Sequence, residues 1–188
     1  KADLSDVQII DFGLAVPFAA EINPTQAEVV GTIHYISPEQ TGRINRRVDH
    51  RSDLYSLGAT FFEILAGKTL FAGSDTLELI HCHLAKKPQS LLELRPDVPP
   101  AIAALIEKLV QKSPDDRYQS AAGVAYDLQK CLNDLKATGT ISNFTLATRD
   151  NSGQLEISRK LYGRDLDFEK LQQIFTKVHQ GESRIVLI

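Results

Sequence analysis

The residues best suited to chemistry follow a short apolar run, Val7-Gln8-Ile9-Ile10, and read Asp11-Phe12-Gly13. The run predicts a β-strand that ends at Asp11. A carboxylate is a hard oxygen ligand for a divalent cation such as Mg²⁺, so Asp11 is a candidate metal ligand. Gly13 permits backbone angles that a residue with a Cβ resists. The alternative interpretation is an ordinary Asp and Gly in a turn after a strand.

A second motif, Gly31-Thr32-Ile33-His34-Tyr35-Ile36-Ser37-Pro38-Glu39-Gln40, lies further along the chain. The two motifs in this order resemble the activation segment of a serine/threonine protein kinase, from the magnesium-binding Asp-Phe-Gly to the Ser-Pro-Glu anchor. The segment would span residues 11–39. The resemblance implies transfer of the γ-phosphoryl group of ATP to a Ser or Thr hydroxyl of a protein substrate, with ATP and Mg²⁺ as cofactors.

The resemblance also assigns roles to individual residues. Asp11 would hold the metal and, with Phe12 and Gly13, form the cofactor-binding motif. Thr32 would support the catalytic base, so Asp11 and Thr32 are the candidate catalytic residues. The residues implied in substrate docking are Gly31, Thr32 and Tyr35.

Between the two motifs, residues 14–30 show neither clean helical nor clean strand periodicity and are predicted to form a long loop. A loop of this length in a compact domain is usually functional. Kinase activation loops are ordered when an added phosphate pairs with arginines. Thr25 is the one hydroxyl residue in the middle of this loop, so it is the candidate phosphosite; the alternative is an unmodified Thr after Pro24 in a turn.

Three residues resemble the structural anchors of the kinase fold. Glu39 matches a buried glutamate that pairs with an arginine far along the chain, and Arg117 is the candidate partner. Guanidinium and carboxylate can join through two parallel hydrogen bonds. Asp53 matches the aspartate that holds the catalytic loop's backbone from the start of the central buried helix.

Four arginines, at positions 43, 46, 47 and 51, lie close together after the second motif. One interpretation is a patch that receives an acidic or phosphorylated substrate. The other is an ordinary solvated loop.

The pattern from about residue 53 to 136 predicts one helix after another, so the fold class is mainly α and matches the large, C-terminal lobe of a kinase. The predicted helix starts are Ser52, Asp75, Pro99-Pro100 and Ser120, and Gly67 suits the end of the first helix. The predicted apolar stripes are Leu54, Leu57, Phe61, Phe62, Ile64 and Leu65; Ile102, Leu105, Ile106 and Leu109; and Val124, Leu128, Cys131, Leu132 and Leu135.

His81 and His83 lie two residues apart and so face different sides of a helix, which argues against a shared metal. Cys82 and Cys131 form no Cys-x-x-Cys pair and are expected to be reduced.

The domain prediction has three parts. Residues 1–136 form the kinase C-terminal lobe, residues 137–160 a linker, and residues 161–188 the start of an AAA-type or signal-transduction ATPase domain that stops before its phosphate loop. The last part resembles the helix and strand that enter such an α/β P-loop domain. The alternative is an accessory helix and strand that close the kinase fragment. The whole order is similar to bacterial multidomain proteins that join kinase, ATPase and sensor modules.

The net charge of -3 argues against a general nucleic-acid binder, and no membrane span is visible. A cytoplasmic protein is expected. The glycine-rich loop, strand lysine and His-Arg-Asp catalytic loop are missing from the sequence, so we expect this chain to be inactive by itself. Two other hypotheses stay open: a kinase-like scaffold without catalysis, and a lobe that regulates a downstream ATPase or sensor module of the same chain.

Overall fold

The computed structural model describes residues 33–150. In this range the chain forms five α-helices and two 3₁₀ turns, and the described residues contain no β-strand. The helices are α1 (Arg51–Ala66), α2 (Thr76–Ala85), α3 (Leu91–Leu94), α4 (Pro100–Leu109) and α5 (Ala121–Thr138), and the 3₁₀ turns are Pro38–Thr41 and Pro114–Asp116. The mainly helical prediction is confirmed for this part of the chain. The whole chain divides into two units, Lys1–Ser152 and Gly153–Ile188, and the described residues belong to the first.

Helix α1 is the centre of the core. It packs along α4 and against α3, and it buries Tyr55 and Phe62 completely or nearly so. Helices α1 and α4 approach each other closely at Gly58, where an added Cβ would lie 2.6 Å from the Cβ of Leu109. Ile64, a predicted core residue, is 70% exposed instead.

The ends of α1 test two predictions. Gly67 does end the helix, because it adopts the left-handed conformation with φ 70° and its N–H binds the carbonyl of Glu63. The prediction that Ser52 caps the start of α1 is wrong. His50 occupies the N-cap position, and Ser52 lies inside the helix. The Ser52 hydroxyl donates to Glu39 Oε1 at 2.6 Å instead, since a buried carboxylate is the stronger acceptor.

The starts of the other long helices follow the sequence closely. Asp75 caps α2 by accepting from the backbone N–H of Glu78 at 2.9 Å. Pro100 occupies the first turn of α4, where a missing N–H is harmless. Ser120 caps α5 by accepting from Gly123 N at 3.0 Å. Local capping chemistry was therefore enough to locate these helix starts.

Helix α5 buries only part of its predicted stripe. Val124 and Cys131 are buried, whereas Leu132 and Leu135 are 42% and 47% exposed. Cys82 and Cys131 are both free and buried, which confirms that they form no disulfide with each other. Within the described range, no helix is long and apolar enough to cross a bilayer.

Residues 139–150 follow α5 without regular structure. They fall in the segment predicted to be a linker, yet Leu146 and Ala147 pack against the hydrophobic core. This stretch is therefore irregular, as a linker would be, but it is held against the lobe. The prediction for residues 161–188 lies outside the described residues.

Candidate functional site

The 3₁₀ turn Pro38–Thr41 contains Glu39 and places its side chain in the protein interior. The turn is closed at its start by a hydrogen bond from Ser37 N to Gln40 Oε1 at 2.9 Å, and at its end by one from Thr41 Oγ1 to the carbonyl of Pro38 at 2.6 Å. Gly42 follows in the left-handed conformation with φ 66°. These local bonds fix the backbone around Glu39, whose side chain is fully buried.

Glu39 and Arg117 form a buried bidentate ion pair. Arg117 Nη1 lies 2.7 Å from Glu39 Oε1, and Arg117 Nη2 lies 2.8 Å from Glu39 Oε2. The sequence predicted this pairing, and the structure contains it across 78 residues of chain. The second 3₁₀ turn, Pro114–Asp116, immediately precedes Arg117 and brings it to this point.

The rest of the Arg117 guanidinium is satisfied by backbone carbonyls. Its Nε donates to Gln111 O at 2.7 Å, and its two terminal nitrogens donate to Arg51 O and Lys112 O at 3.0 Å each. All of its N–H groups therefore have acceptors. The guanidinium also lies over the Tyr55 ring, 4.8 Å from its centroid. One side chain thus joins the Glu39 turn, the start of α1 and the loop after α4.

The protonation state of Glu39 follows from these contacts. Burial alone raises the pKa of Glu39, but the hydrogen bonds and positive charge of Arg117, helped by the Ser52 hydroxyl, outweigh it. The net result is a pKa below the ordinary value. Glu39 is therefore ionised at neutral pH, and the pair is a true ion pair.

Two further predicted site residues lie at α1. The Tyr35 hydroxyl donates to Glu63, while the Tyr35 carbonyl accepts from Ser56 Oγ at 2.8 Å. Asp53 lies in the first turn of α1 with an exposed side chain. Partial desolvation raises the pKa of Asp53, with His50 acting in the opposite direction. Within residues 33–150 its carboxylate has no hydrogen-bond partner, so its role in holding a catalytic loop stays a prediction.

The arginines at positions 43, 46, 47 and 51 are partly neutralised by neighbouring aspartates. Arg46 binds Asp115 at 2.8 Å, and Arg51 binds Asp115 at 3.0 Å and Asp49 at 2.8 Å. For these two arginines the contacts favour a structural role over the reception of a phosphate. For Arg43 and Arg47, both exposed, the substrate-patch interpretation stays a prediction.

His83 supports the same region from α2. It is fully buried, its Nδ1 lies 2.9 Å from the Tyr55 hydroxyl, and the Phe71 ring lies edge-on at 5.1 Å. Lys112 Nζ donates to the carbonyls of Cys82 and His83 at 3.0 and 2.8 Å. Burial, together with the nearby Lys112 and His34, lowers the pKa of His83 to about 4.

His83 is expected to make the protein less stable as the pH falls from 6.5 towards about 4. In that window the unfolded chain binds a proton at this imidazole and the folded chain does not, so unfolding takes up a proton. The free energy of unfolding should then fall by up to about 1.4 kcal/mol per pH unit. Urea unfolding at several pH values measures the slope.

The matched control is His81, which is exposed on the same helix. His83→Gln should flatten the slope above pH 4, whereas His81→Gln should leave it unchanged. A His83→Gln protein that keeps the full wild-type slope would contradict the assignment.

The remaining predicted site residues lie outside the described residues. They are Asp11, Phe12, Gly13, Thr25, Gly31 and Thr32. Within residues 33–150, no group of three or more His, Cys, Asp and Glu side chains could hold a metal ion. The metal prediction therefore rests on Asp11, whose carboxylate suits Mg²⁺ by donor chemistry.

Two residues at this site were missed from the sequence. Ser52 was assigned to a helix cap, although it binds Glu39. Gln119 received no role, yet its Oε1 accepts from Arg51 Nη1 at 2.8 Å and its Nε2 donates to the Arg117 carbonyl at 2.7 Å. Its position directly after Arg117-Tyr118 was the only available signal.

This anchored turn at the end of an activation-segment motif, set in a helical lobe, defines a class of protein. The chain belongs to the protein kinase domain family, whose family model matches residues 2–128.

Among curated relatives, the chain is 38% identical over 177 residues to hybrid signal transduction histidine kinase G of Dictyostelium discoideum, covering 84% of this chain. It is 32% identical over 148 residues to the peroxide stress-activated histidine kinase mak3 of Schizosaccharomyces pombe, covering 79% of this chain. It is 37% identical over 149 residues to the serine/threonine-protein kinase PknB of Mycolicibacterium smegmatis, covering 72% of this chain. The chain spans 5%, 6% and 24% of these relatives' own lengths.

Proposed function

We propose that the whole protein containing this chain is a serine/threonine protein kinase that acts in signal transduction. It transfers the γ-phosphoryl group of ATP to Ser or Thr hydroxyls of protein substrates. The observation that carries the proposal is the buried Glu39–Arg117 pair, with bonds of 2.7 and 2.8 Å. It fastens the end of the activation segment to the lobe, and phosphoryl transfer depends mostly on positioning and electrostatics.

The residues of the segment have distinct roles in this proposal. Asp11 holds Mg²⁺, which when bound offsets charge on the phosphate oxygens. Phe12 and Gly13 complete the cofactor-binding motif. Thr32 supports the catalytic base and, with Gly31 and Tyr35, positions the acceptor. Phosphorylation of Thr25 would order the loop between the two motifs.

Specificity for Ser and Thr has two supports. The predicted docking residues Gly31 and Thr32 resemble the corresponding residues of serine/threonine kinases. The PknB relative, 37% identical to this chain, is itself named a serine/threonine-protein kinase.

The domain assignment is part of the proposal. Residues 1–136 are the kinase C-terminal lobe, residues 137–160 connect it, and residues 161–188 begin an ATPase domain. A second candidate function is a kinase-like lobe that regulates such a downstream ATPase or sensor module. It is favoured by the two histidine-kinase relatives, in which this chain matches 5% and 6% of a much longer protein.

A phosphotransfer assay separates the two functions. The full-length protein with ATP and Mg²⁺ should phosphorylate a Ser/Thr peptide library and leave a Tyr library unmodified. The purified 188-residue chain should transfer nothing under the same conditions. A full-length protein that is folded but transfers no phosphate would favour the regulatory function, and transfer by the 188-residue chain would overturn the assignment of the nucleotide site to other parts of the protein.

A further inference from the structure

The segment after α5 contacts that helix at several points. We call residues Phe144–Asp150 the strap. Its contacts run antiparallel to α5: Lys130 Nζ lies 4.0 Å from the Phe144 ring centroid, Ala147 N donates to Asp127 Oδ2 at 2.8 Å, and the Arg149 guanidinium lies 4.9 Å from the Tyr126 ring centroid. A flexible connection would not need this series of specific contacts.

The middle of the strap is held in an unfavourable backbone conformation. Ala147 has a φ of 60°, in the left-handed region that residues with a Cβ seldom adopt. Its N–H is bound by Asp127 Oδ2, which also accepts from the Tyr118 hydroxyl at 2.6 Å. Both Asp127 and Tyr118 are buried, so the strap is joined to the core at this point. Strain of this kind persists only where the surroundings impose it.

The carboxylate of Asp150, at the end of the strap, lies at the N-terminus of α5. Its carboxylate accepts from Gln119 N at 2.6 Å and from Ser120 Oγ at 2.8 Å. A negative charge is favourable at the N-terminus of a helix. The position exists only because residue 123 is glycine: an added Cβ there would lie 2.3 Å from Asp150 Oδ1.

Gln119 connects Asp150 to the Glu39 anchor. Its backbone N–H binds Asp150, its carbonyl lies 2.9 Å from His50 Nε2, and its side-chain amide bonds to the Arg117 carbonyl and to Arg51. Arg117 in turn holds Glu39. An unbroken series of hydrogen bonds and neighbouring residues therefore runs from the strap to the end of the activation segment.

We propose that the strap is a regulatory contact and that Asp150 is a positioning residue for the activation-segment anchor. When Asp150 is bound, Gln119 keeps Arg117 and the start of α1 in the geometry that holds Glu39. When Asp150 leaves, that geometry loosens and the end of the activation segment at Glu39 loses its support. Asp150 lies two residues before the boundary between the two units, which falls between residues 152 and 153. A conformational change of the chain at this boundary would therefore displace the strap and alter its contacts with the kinase lobe. The catalytic consequence rests on the proposed kinase function.

The experiment compares two ways of releasing the strap in the full-length protein. Asp150→Ala removes the carboxylate. Gly123→Ala keeps the Asp150 carboxylate but places a methyl group where it lies, and alanine has a higher helix propensity than glycine. Asp97→Ala, which removes an exposed acid paired with Arg95, is the matched control. Hydrogen exchange at residues 36–42 should accelerate by about fivefold in both strap variants and not in the control. The KM for a protein acceptor should rise by a similar factor, with the KM for ATP unchanged.

Two results would overturn the proposal: faster exchange confined to residues 119–123 and 144–150, or a change in only one of the two strap variants. Asp150→Asn, which keeps the size and one acceptor oxygen, replaces Asp150→Ala if the latter does not fold. The exchange measurement needs no catalysis. A wild-type protein without phosphotransfer would thus refute the kinase function alone, while the exchange data still decide on the strap.

Discussion

Arg117→Ala is expected to lower the free energy of unfolding by about 3–5 kcal/mol. The change leaves the Glu39 carboxylate buried without its counter-charge, and it leaves the carbonyls of Arg51, Gln111 and Lys112 without the donors found at 2.7–3.0 Å. An unpaired buried charge costs far more than the net contribution of the pair itself. Denaturant unfolding followed by circular dichroism measures the loss.

Arg117→Lys is the informative companion variant. Lysine keeps the charge but replaces a planar guanidinium with a single ammonium group, which cannot reach the two Glu39 oxygens and three carbonyls together. We therefore expect a clear loss of stability in this variant as well. A Lys variant as stable as the wild type would show that charge alone, and not the shape of the guanidinium, holds the anchor.

A double-mutant cycle with Glu39→Gln isolates the ion pair from the carbonyl contacts. Because Glu39 and Arg117 contact each other directly, the two changes should be strongly non-additive. Additive losses would contradict a direct energetic coupling between them.

The same pair contributes to acid sensitivity. Since the folded-state pKa of Glu39 lies below its ordinary value of 4.5, its contribution to stability is complete above that pH and is lost as the pH falls through the folded pKa. The histidine effect lies higher, between 6.5 and about 4. Variants at Glu39 and at His83 should therefore alter different parts of the acid unfolding curve.

Asp11→Ala in the full-length protein is expected to lower phosphotransfer by about a hundredfold or more, because one charge-stabilising group is removed from the site. The helix content should be unchanged, since the predicted role of Asp11 is to hold metal and not to pack. Initial rates at saturating ATP, with far-UV circular dichroism on the same samples, test both parts.

Asp97→Ala is a suitable control here as well, because it removes an exposed carboxylate whose partner, Arg95, is also exposed. It should retain wild-type activity. Phosphotransfer that survives in Asp11→Ala would remove Asp11 from the mechanism.

Much of the lobe was predictable because its signals are local. The caps at Asp75 and Ser120, the Pro at the start of α4 and the left-handed Gly67 act within a few residues of themselves, so the sequence shows them directly. The burial of Leu105, Ile106 and Leu109 follows from helical periodicity in the same way.

Long-range contacts were predictable only where a motif marked both partners. Glu39 lies in a recognisable motif, and the resemblance to a kinase implied an arginine partner far along the chain, so the pairing with Arg117 could be expected before the structure. Asp150 and Gln119 carry no such signal, and Asp150 fell in a stretch predicted to be a linker. Its contact with Gln119 depends on the path of the chain after α5.

The sequence by itself therefore determined the four longer helices, the caps at Asp75, Ser120 and Gly67 and the activation-segment motif, and the resemblance to a kinase supplied the Glu39–Arg117 pair. Only the tertiary structure decided that Ser52 binds Glu39 and does not cap α1, that Leu132 and Leu135 on α5 are exposed, and that residues 144–150 are held against α5. The physical reason is the same in each case. Capping and periodicity act over one or two helical turns, whereas the partner of a hydroxyl, carboxylate or apolar side chain is set by whichever distant segment folding brings beside it.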